Sequence, residues 1–291
     1  MNRALTPDEQ LDRIVALAMA EDAGTGDITT AALVPPALTG RGTLRAKASG
    51  VLAGLEAARR VFLKVDGSLE FTPLREDGSH LEPGDIIATV RGSISSILLA
   101  ERTALNFLQH LSGVATLTAR YVAAVSGTRA RLVDTRKTTP GMRLLEKAAV
   151  RSGGGHNHRL HLGDGVLIKD NHLAAARAQG LGLGEVVRRA KQQARGLPVE
   201  VEVSSAEQAK EAAEAGADII MLDNMTPAEM KLATSQLPPG VQTEASGGVT
   251  LENIRAIAAA GVDIISVGAL THSAPALDIN LKLEPEAFSL P

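Results

Sequence analysis

Cationic side chains cluster in one part of the chain. Between Arg129 and Lys169 stand nine lysines and arginines against three acidic residues, a local charge of +6, while the rest of the chain carries -9. Arginine pairs with carboxylates and phosphates through two parallel hydrogen bonds, and lysine supplies a point charge. A basic segment in an acidic chain indicates a focused site for small anions. The candidate donors are Arg136, Lys137, His158, Arg159 and Lys169.

Two carboxylates and two glycine-containing turns complement these cations. Glu202 and Asp223 stand near the ends of successive predicted strands, and their oxygens suit Mg²⁺ or sugar hydroxyls. Ser246-Gly247-Gly248 and Val267-Gly268-Ala269 expose backbone N–H groups near predicted helix starts, as phosphate sites of barrels do. The combination predicts a polyanionic substrate, a phosphorylated substrate and Mg²⁺. Glu200 is expected on the opposite side of its strand from Glu202.

The elements that must position these residues alternate between short β-rich runs and alanine-rich helical stretches. This alternation is typical of βαβ units around a parallel sheet, and the last units recur every 20 to 23 residues, which favours a barrel. Active sites of such barrels lie at the carboxyl ends of the strands. The six predicted strands are Arg131–Asp134, Val166–Lys169, Val199–Val203, Asp218–Leu222, Val241–Ala245 and Ile264–Val267, with helices Gly184–Ala194, Ser205–Ala215 and Leu251–Ala259 among the connections.

The upstream part is predicted to be a smaller mixed domain. Thr6, Pro7 and Glu9 form a capping box that begins a helix. A long helix, or a bent pair broken near Gly113, occupies Ser93–Ala124. We therefore assign residues 1–127 to an N-terminal domain with connecting helices and residues 128–291 to the barrel, with an extreme C-terminus that is free to return to the first domain. Within the first domain, the predicted elements are strands Gly42–Ala48 and Asp85–Val90 and helix Leu55–Val65.

Composition excludes several classes of function. The chain has 291 residues and no cysteine, so disulfides, iron–sulfur clusters, thiolate zinc sites and cysteine nucleophiles are excluded. Five aromatic residues are too few for stacking on single-stranded nucleic acid. The apolar run Ile14–Ala20 follows acidic residues, unlike a signal peptide, and no run reaches the length of a membrane span. We expect a cytoplasmic protein that binds neither nucleic acid nor membrane.

Two other chemistries compete for the basic segment. His156, His158 and His161 resemble a metal cluster that would suit a metal-dependent hydrolase. Lys169 ends an apolar strand and could instead form a Schiff base, as in barrel aldolases. Few further histidines stand downstream, and nearby carboxylates oppose a neutral lysine, so both alternatives are less favoured than an anion-binding site.

Taken together, the chain resembles the quinolinate phosphoribosyltransferase family, also called nicotinate-nucleotide pyrophosphorylase (carboxylating). The matching segments run in order along nearly the whole chain, and as a set they are highly specific. They are Glu21-Asp22-x-Gly24-x-Gly26-Asp27-Ile28-Thr29, Ala100-Glu101-Arg102-Thr103-Ala104-Leu105-Asn106, Asp134-Thr135-Arg136-Lys137-Thr138-Thr139-Pro140-Gly141, Gly153-Gly154-Gly155-x-Asn157-His158-Arg159, Ile168-Lys169-Asp170-Asn171-His172, Val199-Glu200-Val201-Glu202-Val203, Met221-Leu222-Asp223-Asn224, Ser246-Gly247-Gly248 and Val267-Gly268-Ala269-Leu270-Thr271-His272-Ser273.

The resemblance implies an α/β protein with an N-terminal open α/β sandwich, a C-terminal incomplete parallel β/α barrel, and a homodimer with shared sites. It implies the conversion of quinolinate and 5-phosphoribosyl 1-pyrophosphate to nicotinate mononucleotide, pyrophosphate and CO₂, in de novo NAD biosynthesis, with Mg²⁺. The implied quinolinate-binding residues are Arg102 of the other subunit, Arg136, His158, Arg159 and Lys169; those for the phosphoribosyl substrate and Mg²⁺ are Lys137, Glu202, Asp223, Ser246, Gly247 and Gly268.

Within that set, Lys137, Lys169, Glu202 and Asp223 are expected to act in catalysis, and Glu202 and Asp223 to hold Mg²⁺ directly or indirectly. The runner-up is a phosphoribosyltransferase-like homologue from a molybdenum transport system, which shares the barrel. Both carboxylate-binding arginines, Arg136 and Arg159, are present in this chain and favour quinolinate.

Overall fold

The computed structural model describes residues 6–290 and divides them into two compact units. The first takes in the described residues of Met1–Ala119, Thr138–Gly154 and Thr271–Pro291, and the second contains Arg120–Lys137 and Gly155–Leu270. The first has an antiparallel sheet and the second a six-stranded parallel sheet. The predicted α/β class, with a sandwich unit and an incomplete barrel, is confirmed.

The first unit packs helices against a four-stranded sheet, beside a small two-stranded pair. The sheet order is β12 (Ile279–Leu283), β1 (Thr39–Ala46), β5 (Ile86–Ser93), β3 (Glu70–Pro73), and the pair is β2 (Gly50–Val51) with β4 (His80–Leu81). Its core contains fully buried Leu44, Phe62 and Leu105. Its elements in chain order are α1 (Pro7–Ala23), α2 (Ile28–Leu33), β1 (Thr39–Ala46), β2 (Gly50–Val51), α3 (Leu55–Val65), β3 (Glu70–Pro73), β4 (His80–Leu81), β5 (Ile86–Ser93), α4 (Ile94–Ala124, which runs on into the second unit) and α5 (Arg143–Ser152), and near the C-terminus β12 (Ile279–Leu283) and a short 3-10 turn, Pro285–Ala287.

The capping box predicted at the start of α1 is present. The Thr6 hydroxyl accepts a hydrogen bond from the Glu9 N–H at 3.2 Å, and the Glu9 carboxylate accepts one from the Thr6 N–H at 2.8 Å. Pro7 occupies the first helical position, where its missing N–H is not needed. The helix therefore begins where local sequence alone predicts.

Helix α4 is one continuous helix, so of the two predicted alternatives the bent pair is wrong. Glycine at position 113 serves another purpose: a Cβ there would lie 2.1 Å from the Pro275 carbonyl oxygen. The helix needs no break at this residue, because the C-terminal segment packs directly on the bare backbone of Gly113.

We predict that Gly113→Ala destabilises the protein, although alanine is the better helix former by about 1 kcal/mol. The clash with backbone at Pro275 leaves only costly rearrangement, and overpacking of this kind costs about 1–3 kcal/mol. Urea unfolding measures the change. Gly67→Ala is the matched control, because a Cβ at Gly67 meets nothing within 4 Å; equal stability of both variants would contradict the packing argument.

The second unit is built on six parallel strands. Their order in the sheet is β6 (Arg131–Val133), β11 (Ile264–Ser266), β10 (Gln242–Ser246), β9 (Ile219–Asp223), β8 (Val199–Val203), β7 (Val166–Ile168). All six strands predicted from the sequence are present, with ends that differ by at most one residue. Strands β6 and β7 are the two edges of this sheet. The elements are β6 (Arg131–Val133), β7 (Val166–Ile168), α6 (Asp170–Arg177), α7 (Leu183–Gln193), β8 (Val199–Val203), α8 (Ala206–Glu214), β9 (Ile219–Asp223), α9 (Pro227–Gln236), β10 (Gln242–Ser246), α10 (Ile254–Ala259), β11 (Ile264–Ser266) and α11 (Ala269–His272), which runs past the end of the unit.

Alternation along the strands separates the two faces of this sheet. In β8, Val199, Val201 and Val203 are buried against helices α7 and α8, while Glu200 and Glu202 fall on the other face. No helix within residues 6–290 is both long and apolar enough to cross a membrane. In β8, helices therefore cover the apolar face, and the glutamates lie on the face away from these helices, which we call the inner face.

Candidate active site

A cavity of about 630 Å³ lies at the carboxyl ends of the parallel strands, in the second unit. Every one of the six strands, or the residues just after it, contributes to its lining. Among the lining residues are nine of the eleven predicted site residues: Arg136, Lys137, His158, Arg159, Lys169, Glu202, Asp223, Ser246 and Gly247. The structure thus brings together cations from β6, β7 and the intervening loop with carboxylates from β8 and β9.

Two predicted residues do not line this cavity. Arg102 lies on α4 in the first unit, where its side chain is exposed. Gly268 directly precedes α11, the short helix after β11. Their predicted roles as ligands therefore stay predictions.

One side of the cavity holds an ion pair and a hydrogen-bonded carboxylate. Lys169 Nζ lies 3.1 Å from Glu202 Oε2, and Asn224 Nδ2 donates to Asp223 Oδ2 at 2.8 Å. Lys169 directly follows β7 and directly precedes helix α6, so its position is fixed by two elements. This side offers one ammonium and two carboxylates to a ligand.

The turn after β10 requires glycine. Gly247 has a φ of +88°, and a Cβ on it would lie 2.3 Å from Asn224 Oδ1. Asn224 itself has a positive φ of 53°, a region in which asparagine is enriched among residues with side chains. The Asn224 side chain thus occupies the space that a side chain at position 247 would need, so the two neighbouring strand ends can meet only because Gly247 has none. A glycine turn of this kind can present backbone N–H groups to a phosphate.

A loop, residues 155–165, which we call the closing loop, contributes His158 and Arg159 to the cationic side of the cavity. His156 pairs with Val133 of β6 in a parallel bridge, so the loop starts alongside the edge strand of the sheet. Asp134, fully buried, accepts hydrogen bonds from Asn157 Nδ2 at 2.6 Å and from the His158 N–H at 2.8 Å. Arg159 is held further along by a bond from its Nη1 to the Gly165 carbonyl at 2.9 Å.

Two buried carboxylates, Glu200 and Glu244, also belong to the site although the sequence did not predict them there. His158 Nε2 lies 3.2 Å from Glu200 Oε2 and 3.2 Å from Glu244 Oε2. The expectation that Glu200 faces away from Glu202 is wrong, because residues two apart share one face of a strand. Glu244 was not singled out, yet it stands two residues before Ser246, which the sequence did place in the site. That spacing is the signal that could have found it.

Burial and charge act against each other in this group. Burial lowers the pKa of His158, but the nearby carboxylates of Glu200 and Glu244 outweigh it and raise the pKa above its ordinary value. Burial also raises the pKa of Glu200, and the like charge of Glu244 adds to that. For Arg159, burial lowers the pKa against the pull of Glu200.

The histidine cluster of the hydrolase alternative is not assembled. Within residues 6–290, the one group of three potential metal ligands is His158, Glu200 and Glu244, which contains a single histidine of the three. His161 is mostly exposed and pairs with Asp164 at 2.8 Å.

Comparison with known proteins identifies the family to which the chain belongs. The model for "Quinolinate phosphoribosyl transferase, N-terminal domain" matches residues 27–112, and that for the C-terminal domain matches residues 114–282. The chain belongs to the quinolinate phosphoribosyltransferase family.

Relatives in this family match along almost their entire length. The nicotinate-nucleotide pyrophosphorylase [carboxylating] of Mycobacterium leprae is 44% identical over 272 residues, covering 91% of this chain and 94% of that protein. The probable enzyme of the same name from Bacillus subtilis is 40% identical over 273 residues, covering 94% and 93%. The solved structure of the nicotinate-nucleotide pyrophosphorylase from Francisella tularensis has a TM-score of 0.89 at 38% identity, covering 96% and 98%.

We predict that Asp134→Asn loosens the cationic side of this family member's site. The hydrogen bonds from Asn157 Nδ2 and from the His158 N–H both come from N–H donors, so an amide nitrogen in place of one carboxylate oxygen would face one of them. Leaving a buried donor unsatisfied costs about 1–3 kcal/mol. Urea unfolding measures the loss, with Asp278→Asn at an exposed carboxylate as control; unchanged stability of Asp134→Asn would contradict the anchoring role.

Proposed function

We propose that the protein transfers the phosphoribosyl group of 5-phosphoribosyl 1-pyrophosphate to quinolinate and releases pyrophosphate and CO₂, forming nicotinate mononucleotide in de novo NAD biosynthesis. The observation that carries this proposal is that one cavity, in a chain of this family, has two chemically different sides. One side is cationic, and the other contains a lysine, two carboxylates and a glycine turn. The two sides suit two different anionic substrates. A cysteine-free chain also suits the reducing cytoplasm, where we propose it works.

The cationic side would bind quinolinate. Arg136 and Arg159 carry planar guanidinium groups that can each pair with a carboxylate through two hydrogen bonds. Quinolinate carries two carboxylates on neighbouring ring carbons, so two such groups in one cavity match it in number. Lys169 at the border would complete this side, and His158 lies beneath it between buried carboxylates.

The opposite side would bind the phosphoribosyl substrate. The Ser246-Gly247-Gly248 turn presents backbone N–H groups to a phosphate, and Lys137 supplies a charge for the pyrophosphate. Glu202 and Asp223 would face the ribose, where carboxylates stabilise the positive charge that develops as the leaving group departs.

The carboxylates of Glu202 and Asp223 also fit Mg²⁺ in the manner usual for phosphate substrates. They stand on neighbouring strands, and Mg²⁺ is commonly held by one or two carboxylates together with substrate phosphates and water. When bound there, Mg²⁺ would neutralise charge on the departing pyrophosphate. The Lys169 ion pair with Glu202 would have to share that carboxylate with the metal.

Charge then accounts for the chemistry. The pyridine nitrogen forms a bond to the anomeric carbon while the bond from that carbon to pyrophosphate oxygen breaks and its electron pair leaves with pyrophosphate. The nitrogen becomes positive. When the bond to the adjacent carboxylate breaks, CO₂ departs, the electron pair left on the ring carbon is stabilised by that nitrogen, and a proton from solvent replaces the carboxylate. The protein's part is to hold two anions together against their repulsion.

We also propose that the active form is a homodimer in which Arg102 completes the partner's quinolinate site. Arg102 is exposed on α4, while its neighbours Thr103, Ala104 and Leu105 are buried. An arginine presented on a helix face in this way is available to a second copy of the chain. The family resemblance of the segment around Arg102 supports the same arrangement.

The decisive assay is formation of nicotinate mononucleotide from quinolinate and 5-phosphoribosyl 1-pyrophosphate with Mg²⁺. We expect product and CO₂ in equal amounts, and no product when nicotinate replaces quinolinate. Absence of product from quinolinate would contradict the proposal and favour the homologue from molybdenum transport. Chelation of the metal is expected to abolish turnover, which tests the need for Mg²⁺.

We predict that Arg136→Ala or Arg159→Ala weakens quinolinate binding by an order of magnitude or more. Losing a charge-assisted hydrogen bond to a desolvated carboxylate costs roughly 1.5–3 kcal/mol. Binding of 5-phosphoribosyl 1-pyrophosphate should change much less. Calorimetry measures both ligands, and Arg189→Ala, at an exposed arginine on α7, is the control; equal losses for both ligands would mean that the arginines are structural.

Shared sites predict complementation between two inactive variants. When Arg102→Ala and Lys169→Ala proteins exchange subunits, a mixed dimer has one site with both lesions and one intact site. Random pairing should restore about a quarter of the wild-type sites. Mass measurement confirms the exchange. If exchange occurs and no activity returns, Arg102 acts within its own subunit.

A further inference from the structure

The two edge strands of the parallel sheet in the second unit do not pair with each other, and the closing loop lies in the chain between them. These edge strands are β6 and β7, and the closing loop, residues 155–165, is the segment of chain that leads into β7. The loop contains no helix or strand, apart from the single bridge at His156. Yet it carries His158 and Arg159, both of which line the substrate cavity. A loop that positions a substrate-binding arginine needs fixed anchors.

Two buried carboxylates on interior strands of the sheet contact His158 in this loop. Glu200 on β8 and Glu244 on β10 flank the central strand β9, and their side chains are 4% and 1% exposed. Glutamate is almost never buried to this degree without a partner. Both carboxylates form an ion pair with His158 Nε2, at 3.2 Å from Glu200 Oε2 and 3.2 Å from Glu244 Oε2, and neither Glu244 oxygen makes a hydrogen bond. All three ligand atoms lie within 4.8 Å of one another.

The geometry of His158 passes this anchoring on to Arg159. The backbone nitrogen of Arg159 lies 2.8 Å from His158 Nδ1, while Nε2 on the opposite side of the ring lies between the two carboxylates. Both ring nitrogens are thereby used inside the protein. Fixing the ring therefore fixes the backbone of the next residue, whose guanidinium enters the site.

The same group separates two spaces in the second unit. A cavity of about 270 Å³ lies at the amino-terminal ends of the strands and is lined by exposed residues such as Arg131 and Gln242. His158, Arg159 and Glu244 line both this lower cavity and the substrate cavity above it. The buried group is thus the floor of the substrate cavity.

From these contacts we propose that Glu200 and Glu244 are positioning residues that clasp His158 across the inside of the sheet and so hold the closing loop, with Arg159, in place to bind quinolinate. The role in quinolinate binding rests on the proposed function. Other charged groups also act on the loop: Asp134 binds the His158 N–H from β6, Asp164 accepts from the N–H groups of Leu160 and His161, and Arg136 lies close enough to Arg159 to repel its charge.

Single isosteric substitutions Glu200→Gln and Glu244→Gln test this clasp. Each removes a charge while keeping the shape of the side chain, and the two are made separately so that one decides if the other fails to fold. We expect KM for quinolinate to rise at least tenfold, and KM for 5-phosphoribosyl 1-pyrophosphate to change less than threefold. Glu214→Gln, an exposed glutamate on α8, is the matched control.

A purely electrostatic role predicts the opposite sign. Removing a negative charge beneath a site for a dianion should tighten quinolinate binding. A lower or unchanged KM for quinolinate in both variants would therefore overturn the proposal, and so would equal increases for the two substrates.

Hydrogen exchange of the closing loop gives a second readout that does not need activity. In the substrate-free protein, we expect amides of residues 155–165 to exchange at least tenfold faster in Glu200→Gln and Glu244→Gln than in the wild type or Glu214→Gln. Unchanged exchange would overturn the clasp. If exchange is faster in both variants but the wild type forms no product from quinolinate, the clasp is supported and the proposed function is contradicted. The two failures are therefore distinguishable.

Discussion

Cations gathered inside a sheet need counter-charges, and this constraint organises the second unit. Arg136, Arg159, Lys137 and Lys169 share one cavity, and like charges at such spacing repel. Carboxylates on the inner face supply the balance: Glu202 pairs with Lys169, and Glu200 and Glu244 surround His158. On the quinolinate side, the arrangement leaves Arg136 and Arg159 facing the cavity and places Glu200 and Glu244 around His158 at its floor.

That distribution explains why the parallel sheet alternates valine with glutamate in β8. The valines bury against helices and supply the hydrophobic stabilisation, while both glutamates face inward, at two depths. Glu202 reaches the substrate cavity, and Glu200 reaches the lower one. One strand thereby contributes to the core, to the substrate site and to the anchoring of the closing loop.

The sequence predicted the parts of the fold that depend on local patterns. The six parallel strands follow from β-rich runs between helices, and the start of α1 follows from its capping residues. The site residues at the strand ends followed from the rule that active sites lie at the carboxyl edge. Long-range packing was not predictable in the same way: Gly113 looked like a helix break, but its role depends on Pro275, which is distant in sequence.

The glutamates show a different kind of miss. Glu200 was placed on the wrong face although the two-residue spacing from Glu202 already put both on one side, so the error lay in applying the strand period. Glu244 carries no local sign of its partner, because His158 comes from a loop whose path no periodicity describes. Buried charge in a strand is informative only once the tertiary structure shows what it faces.

The central claim is that the cavity is built for two carboxylates at once, and calorimetric titration of the unmodified protein tests it most directly. Quinolinate carries two neighbouring carboxylates and nicotinate carries one, on otherwise similar rings. The account predicts that quinolinate binds at least about tenfold more tightly, because one charge-assisted interaction is worth roughly 1.5–3 kcal/mol. Equal affinities for the two compounds would contradict it.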